Sequence, residues 1–161
     1  CLVDTPGAFC GVEAENKGQG LVIAEHLRTM ATLKTPIISI IIGEGGSGGA
    51  LALSLADRLI MMENSYFSVI SPEGAASILF KDSSMAQEAA KNLKLTAADL
   101  KSFGVVDNVI REPENFSRFN MDDSVEDIRR VIRAALRRLT RIPPDRLVEN
   151  RHQKFLSMRG L

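Results

Sequence analysis

The sequence predicts an α/β domain in which helices cover a parallel β-sheet. Two apolar segments, residues 2–4 and 37–42, have the composition of strands, and residues 18–33 between them have the spacing of a helix. The second strand is rich in β-branched residues with almost no polar interruption, as expected of a strand buried on both faces. Two such strands joined by a helix form a parallel crossover unit, which is nearly always right-handed.

The N-terminal elements follow in the order strand, loop, helix, strand. After the first strand comes a loop at residues 5–9, and Pro36 ends the connection into the second strand. Apolar residues recur at helical spacing in the first helix, at Val22, Ile23, Leu27, Met30 and Leu33. Because a strand buried on both faces needs neighbours, we expect that an N-terminal part of the domain precedes residue 1.

The middle of the chain alternates short helices and short strands. Residues 50–56 have almost no polar face, which predicts a buried helix. Short strands are expected at residues 59–62 and 67–70. Ser71 followed by Pro72 predicts the N-cap and first position of the next helix.

Two further helices and a strand complete the predicted core. A helix is expected near residues 85–93, and the last strand at residues 105–110. Between them, Thr96 caps a helix whose capping arrangement Asp99 completes and which Gly104 stops.

The C-terminal segment, residues 122–161, is predicted to form helices beside a core of about residues 1–111, so that the chain is a single domain. Ser124 and Asp127 have the spacing of a second capping arrangement, and a final helix is expected at about residues 145–158. This segment carries ten basic side chains against six acidic ones. We expect a solvated basic face, with docking on an acidic partner or a phosphate group as the alternative.

Composition argues against several classes of function. Twenty basic residues balance twenty acidic ones, so no overall field attracts nucleic acid or an anionic membrane, and aromatic residues are sparse for base stacking. Cys1 and Cys10 make neither a disulfide framework nor a zinc site, and we expect them to be small buried side chains. No apolar run is long enough for a membrane span and no leader is recognised, so we expect a cytoplasmic protein. We also expect no metal site in this chain.

The stretch GEGGSGG, residues 43–49, can be compared with three known motifs. It satisfies the dinucleotide fingerprint, with Glu63 where a ribose-binding acid belongs, but the helix that follows is too short for the usual crossover. It also satisfies the nucleophile-elbow pattern with Ser47 as the attacking hydroxyl, which needs a base, and neither His26 nor His152 carries a local signature. The phosphate-binding loop fails because no Lys-Ser or Lys-Thr follows the glycines.

A backbone interpretation of the same glycines needs no side chain. If the apolar helix begins at about Ser47 or Gly48, its first N–H groups have no partner within the helix and form a site for negative charge. Such a dry pair of donors stabilises a developing oxyanion by about 3 to 4 kcal/mol. Open parallel sheets bind ligands at the carboxyl ends of their strands, where the loop at residues 5–9 also lies. The structural alternative is that the glycines only permit tight packing.

Longer stretches of the chain resemble one family. The stretches that carry the resemblance are DTPGAFCGVEAENKGQG, IIGEGGSGGALAL, YFSVISPEGAASILFKD and LVENRHQKFLSMRGL. Through essentially all of its 161 residues, the chain is similar to the alpha subunits of bacterial acetyl-coenzyme A carboxylase carboxyltransferase. These motifs are long and ordered, which makes them far more specific than a glycine pattern alone.

The resemblance implies the crotonase fold, a spiral of strand-strand-helix units in which backbone amides stabilise oxyanions. It further implies a helical extension and the first strands of the fold before residue 1. Its implied partners are a zinc-bearing beta subunit, in an α2β2 assembly, and the biotin carrier protein. The implied activity is transfer of the carboxyl group from carboxybiotin to acetyl-CoA, which gives malonyl-CoA for fatty acid synthesis.

The resemblance also implies a site made of main-chain groups. Biotin itself takes the proton from the acetyl-CoA methyl group, so no side-chain base is required. The alpha subunit would hold the ureido oxygen of biotin through the N–H groups of Gly48 and Gly49, while the beta subunit holds the thioester oxygen. The supporting residues are Gly45 and Gly46, which shape the turn, Ala50, which opens the helix, and Gly7 and Ala8, which form the neighbouring wall.

Three other classes of function stay open at this point. A stand-alone enoyl-CoA hydratase or isomerase of the same superfamily would use a glutamate such as Glu73 as its acid or base and would need no partner. A serine hydrolase would use Ser47. A non-catalytic partner subunit is the third, if the site is incomplete without an N-terminal part.

Overall fold

The computed structural model describes residues 1–114 and 121–158. The strands are β1 (Leu2–Thr5), β2 (Ile38–Gly46), β3 (Arg58–Met62), β4 (Tyr66–Ser68) and β5 (Asn108–Ile110). The helices are α1 (Val12–Asn16), α2 (Gln19–Thr32), α3 (Ser47–Ser54), α4 (Pro72–Leu79), α5 (Ala86–Leu93), α6 (Ala97–Ser102), α7 (Met121–Leu139) and α8 (Pro144–Ser157), with a 3-10 turn at Ser83–Met85. Over these described residues, none of the helices combines the length and the hydropathy that crossing a membrane requires.

Among the described residues, five strands form one sheet with parallel pairing, as the sequence predicts. The order is β1, β2, β3, β5, and β4 pairs with the second half of β2. β2 extends beyond the predicted strand at residues 37–42, because residues 44–46 pair in register with β4. Half of the glycine stretch is therefore strand, and α3 begins directly after it.

Helices cover both faces of the sheet. On one face, α3 and α6 contribute Ala50 and Ala97 to a core cluster with strand residues. On the other face, α7 packs through Ile128, Val131 and Ile132. Successive residues of β2 and β3 alternate between the two clusters, which explains why these strands are apolar at nearly every position.

The predicted helix cap at Ser124 is wrong. α7 already begins at Met121, and Ser124 lies within the helix, 3% exposed, with no hydrogen-bond partner for its hydroxyl in the described part of the chain. Asp127 instead pairs with Arg130 at 2.6 Å. The pattern misleads because Ser124 stands one turn before Ile128, which packs on the sheet, and so lies within α7 and not at its start. Residues 115–120 lie outside the described residues.

The other two predicted caps are confirmed. The Ser71 hydroxyl accepts a hydrogen bond of 3.1 Å from the N–H of Gly74, and Pro72 is the first residue of α4. The Thr96 hydroxyl accepts a bond of 3.2 Å from the N–H of Asp99 at the start of α6.

Two smaller expectations are wrong. The last strand is shorter than residues 105–110, because the N–H groups of Val105 and Val106 bond to the Leu100 carbonyl and so extend the end of α6. Cys1 and Cys10 are exposed rather than buried.

A buried ion pair closes the amino end of the sheet, where the sequence suggests a solvated basic face. Arg151 of α8 is 1% exposed and makes two bonds of 2.9 Å to the Asp57 carboxylate, which lies just before β3. Its other donors bond the carbonyls of Met30, Leu33 and Thr35 at 2.6, 2.9 and 3.0 Å. Part of the basic surplus is therefore internal and ties α8 to α2 and β3.

A second ion pair lies beside the first. Lys154 Nζ is 2.5 Å from the Asp107 carboxylate, which also accepts bonds from the Arg58 guanidinium at 2.9 Å and from the Leu59 N–H at 2.7 Å. Burial alone raises the pKa of Asp107, but these hydrogen bonds and the two positive charges outweigh it and hold the pKa below its ordinary value. Burial lowers the pKa of Lys154, because the ammonium loses hydration that Asp107 only partly replaces.

Candidate functional site

The turn from β2 into α3 is the first element of the candidate site. Gly46 is extended, with φ −96°, and Ser47 reverses the chain with a left-handed φ of 54°. No side chain caps α3. Because the first N–H groups of a helix have no acceptor within it, those at Gly48 and Gly49 lie at an open helix start. The Gly48 N–H is 2.6 Å, nitrogen to oxygen, from the Ser47 hydroxyl.

Close approach of the segment after β1 requires two of the glycines. A Cβ on Gly46 would lie 2.0 Å from the Pro6 carbonyl oxygen, and one on Gly49 would lie 2.9 Å from the Ala8 nitrogen. A Cβ on Gly48, in contrast, would contact only the Ile23 side chain, at 3.7 Å. Tight packing therefore accounts for Gly46 and Gly49 but not for Gly48, where a Cβ would make only an ordinary contact.

Gly7, Ala8 and Gly49 line one pocket between the β1 loop, α2 and α3. Its volume is about 430 Å³. The remaining lining residues are Gln19, Val22, Ile23, His26, Ala52 and Leu53. Three of the predicted site residues therefore come together around a single cavity.

The other predicted site residues, including the proposed donor Gly48, do not line this pocket, and Gly46 lines a second one instead. Gly45 and Gly46 are buried within β2, and Ala50 is 0% exposed in the core cluster beneath α3. Gln19 and His26 were not predicted to belong to the site. Their spacing does indicate it, because residues 19, 22, 23 and 26 fall on one face of α2.

The serine-hydrolase alternative lacks a base in the described part of the chain. The Ser47 hydroxyl accepts from the Gly48 N–H, and neither histidine is hydrogen-bonded to it. His26 is exposed in the wall of the pocket. The His152 ring lies 3.0 Å from the Ala31 carbonyl, at the far end of α2.

A second pocket, of about 340 Å³, lies on the other side of Gly46 and includes Tyr66 and Glu73. Burial raises the pKa of Tyr66, and the negative charges of Glu44, Asp4 and Glu73 raise it further. Glu73 is exposed in the first turn of α4, so the hydratase alternative has an acidic group near the glycine turn. Across residues 1–114 and 121–158, no group of three or more His, Cys, Asp or Glu side chains is placed to hold a metal ion.

The chain matches a known family over nearly its whole length. The family model described as acetyl co-enzyme A carboxylase carboxyltransferase-like matches residues 1–159. The acetyl-coenzyme A carboxylase carboxyl transferase subunit alpha of Clostridium botulinum (strain Alaska E43 / Type E3) is 51% identical over 155 residues, which are 96% of this chain and 57% of that relative. The chain thus spans just over half the length of the curated relative that it matches.

Two solved structures have a similar fold. Transcarboxylase 12S, with methylmalonyl-coenzyme A and methylmalonic acid bound, has a TM-score of 0.69 and 26% identity, covering 84% of this chain and 26% of that one. A Pseudomonas malonate decarboxylase hetero-tetramer in complex with coenzyme A has a TM-score of 0.75 and 22% identity, covering 98% of this chain and 63% of that one. These likenesses confirm the predicted crotonase-type α/β fold. From the family match and the identity to a curated alpha subunit, the chain belongs to the acetyl co-enzyme A carboxylase carboxyltransferase-like family.

Proposed function

We propose that this chain is the part of a carboxyltransferase alpha subunit that binds carboxybiotin. The reaction transfers the carboxyl group from carboxybiotin, on the biotin carrier protein, to acetyl-CoA and gives malonyl-CoA, the first step of fatty acid synthesis. The observation that carries the proposal is the pocket where the uncapped start of α3 meets the main chain of Gly7 and Ala8. Family membership supports the class of reaction.

The main chain at the start of α3 fits a group that becomes negatively charged. Carboxybiotin supplies the carboxyl group, and negative charge develops on its ureido oxygen as that group leaves. The N–H groups of Gly48 and Gly49, together with the dipole of α3, would stabilise this charge by about 3 to 4 kcal/mol once a partner chain excludes water, with the ligand replacing the Ser47 hydroxyl at the Gly48 N–H. The 430 Å³ pocket, which Gly49 lines, leaves room for the ligand beside these donors.

The remaining proposed residues build the surroundings of these donors. Gly45 and Gly46 let β2 continue to the turn between its neighbouring strands, and Ala50 anchors the first turn of α3 in the core. Gly7 and Ala8 form the opposite wall of the pocket. Carboxyl transfer requires no side-chain base from this chain, which is compatible with the lack of a histidine partner for Ser47 among the described residues.

A zinc-bearing beta subunit, in an α2β2 assembly, is the proposed partner and holds the thioester oxygen of acetyl-CoA. The name of the curated relative, a subunit alpha, supports a partnered enzyme. The surface around the pocket supports it too, because Phe9 and Val22 are 70% and 61% exposed there and offer apolar area for another chain to cover.

Carboxyl transfer by the full-length chain, measured with and without the beta subunit, tests the proposal. We expect malonyl-CoA to form only when the beta subunit and the biotinylated carrier protein are both present. The competing hydratase assignment is favoured by the position of Glu73 in the second pocket. Turnover of an enoyl-CoA by the alpha chain alone, lost in Glu73→Gln, would establish that assignment instead.

A further inference from the structure

Two side chains hold the main chain on either side of Ala8. The Thr5 hydroxyl accepts a hydrogen bond from the Gly7 N–H at 3.2 Å and donates to the Gly7 carbonyl at 3.3 Å. The side-chain amide of Gln19, assigned the orientation that satisfies both of its groups, donates to the Phe9 carbonyl at 2.7 Å and accepts from the Phe9 N–H at 3.2 Å. Each side chain therefore binds both polar main-chain groups of one residue.

Ala8, between the two fixed residues, keeps a free donor. In the described part of the chain its N–H has no hydrogen-bond acceptor. Its nitrogen lies against α3, since a Cβ on Gly49 would be only 2.9 Å away, and Ala8 lines the 430 Å³ pocket. Ala8 is half-buried, so an N–H group that has no protein acceptor in this pocket wall is available to donate to a ligand.

We propose that Gln19 and Thr5 are positioning residues for the Ala8 N–H, which adds a third donor to the site at Gly48 and Gly49. This inference rests on the proposed function. Neither side chain needs to touch the ligand, because each acts through the main chain of a residue adjacent to Ala8. Gly7 has φ +138°, a conformation that glycine adopts and other residues rarely do. A shift of about 1 Å in a catalytic donor lowers a rate by about 100-fold.

The test uses the full-length chain with its beta subunit. Gln19→Met keeps the length of the side chain and removes its amide. We expect kcat for carboxyl transfer to fall about 10- to 100-fold, KM for acetyl-CoA to stay within about twofold, and Tm to shift by about 3 °C or less. Gln19→Glu still accepts from the Phe9 N–H but cannot donate to its carbonyl, so its kcat should be intermediate. Thr5→Val should lower kcat, and Thr5→Ser, which keeps the hydroxyl, should restore it.

Matched controls remove similar hydrogen bonds away from the pocket. Gln153→Met breaks the 2.8 Å bond to Glu149 on the exposed side of α8, and Thr29→Val breaks the 2.9 Å bond to the Glu25 carbonyl on α2. Both controls should keep the wild-type kcat. Hydrogen exchange of the Phe9 amide gives a second readout, because it should accelerate in Gln19→Met but not in the controls.

The outcomes separate the two proposals. Absence of carboxyl transfer by the wild-type complex overturns the proposed function. A wild-type kcat in Gln19→Met and Thr5→Val, in a complex that does transfer carboxyl groups, overturns only the positioning role. If Gln19→Met or Thr5→Val does not fold, the Gln19→Glu and Thr5→Ser variants decide. An unchanged kcat in Gln19→Glu together with a lowered kcat in Thr5→Ser would also contradict the positioning role.

Discussion

The two ends of the sheet are held together by different kinds of interaction. At the amino end, side chains of α8 are bonded to carboxylates, and all five guanidinium N–H donors of Arg151 have acceptors. At the carboxyl end, glycines bring main chains close together, and the start of α3 has no cap. A saturated cluster stabilises the fold but has no donor left for a ligand. A main-chain donor without a protein acceptor among the described residues, such as the Ala8 N–H, is in contrast available for binding.

The largest expected effect comes from the amino end. Arg151→Met should lower the free energy of unfolding by about 3 to 5 kcal/mol, because it leaves the Asp57 carboxylate buried without its charge partner. Equilibrium denaturation measures the loss. The control is Arg129→Met, which breaks an exposed pair with Glu126 and should cost less than about 1 kcal/mol. Equal losses in the two variants would show that the buried pair is not special.

The next effect is at the carboxyl end. Gly49→Val should destabilise the fold by about 3 kcal/mol and abolish carboxyl transfer, because its side chain would collide with the main chain of Gly7 and Ala8. Gly48→Ala is the control for stability. The added methyl group lies within a helix and would meet only the Ile23 side chain, at 3.7 Å. The free energy of unfolding should therefore stay unchanged or rise by about 0.5 kcal/mol. Denaturation of both variants checks the difference, and a stable Gly49→Val would mean that the two segments can move apart.

A smaller loss of stability, which depends on pH, is expected from Asp107 at the amino end of the sheet. Asp107→Asn should cost about 2 kcal/mol at neutral pH, because Lys154 and the Leu59 N–H lose a charged acceptor. The pKa of Asp107 is lower in the folded protein than its ordinary value of 3.8. Its contribution is therefore complete above that value and is lost as the pH falls through the folded pKa.

Denaturation as a function of pH should show the difference between wild type and Asp107→Asn shrinking below about pH 4. Asp145→Asn is the matched control, since the pair of Asp145 with Lys34 is exposed at 83% and 65% and should contribute little at any pH. A difference for Asp107→Asn that stays constant down to about pH 2 would contradict the assigned role of this carboxylate.

The smallest effect is expected from Ser47→Ala. Among the described residues its hydroxyl is hydrogen-bonded to the neighbouring Gly48 N–H, so stability should change by less than about 1 kcal/mol and carboxyl transfer by less than about threefold. Steady-state kinetics of the complex measure this. Complete loss of activity with an intact fold would favour Ser47 as a nucleophile. It would contradict the assignment of the chemistry at this end to main-chain groups.

Local signals in the sequence gave correct predictions where all the residues of the pattern lie at the start of one helix. Ser71 with Pro72 and Thr96 with Asp99 form the caps that their spacing predicts. The same kind of spacing failed at Ser124, because α7 begins earlier, at Met121, and Ser124 is buried within it. The prediction for the glycine stretch was partly right. The helix begins at Ser47, as expected, but residues 44–46 pair with β4 and form a strand.

The sequence by itself determined the parallel sheet, a helix after the glycines and the family, because hydrophobic period, capping residues and ordered motifs are local properties of the chain. That helix is only partly buried, since Leu51 is 45% exposed. Only the tertiary structure decided which glycine is needed for packing and which is not, that Gln19 reaches Phe9, and that Arg151 is buried against Asp57. Those facts join residues from separate elements, up to 94 positions apart for Arg151 and Asp57. Such distances are set by how the elements pack, and no single segment of the sequence encodes them.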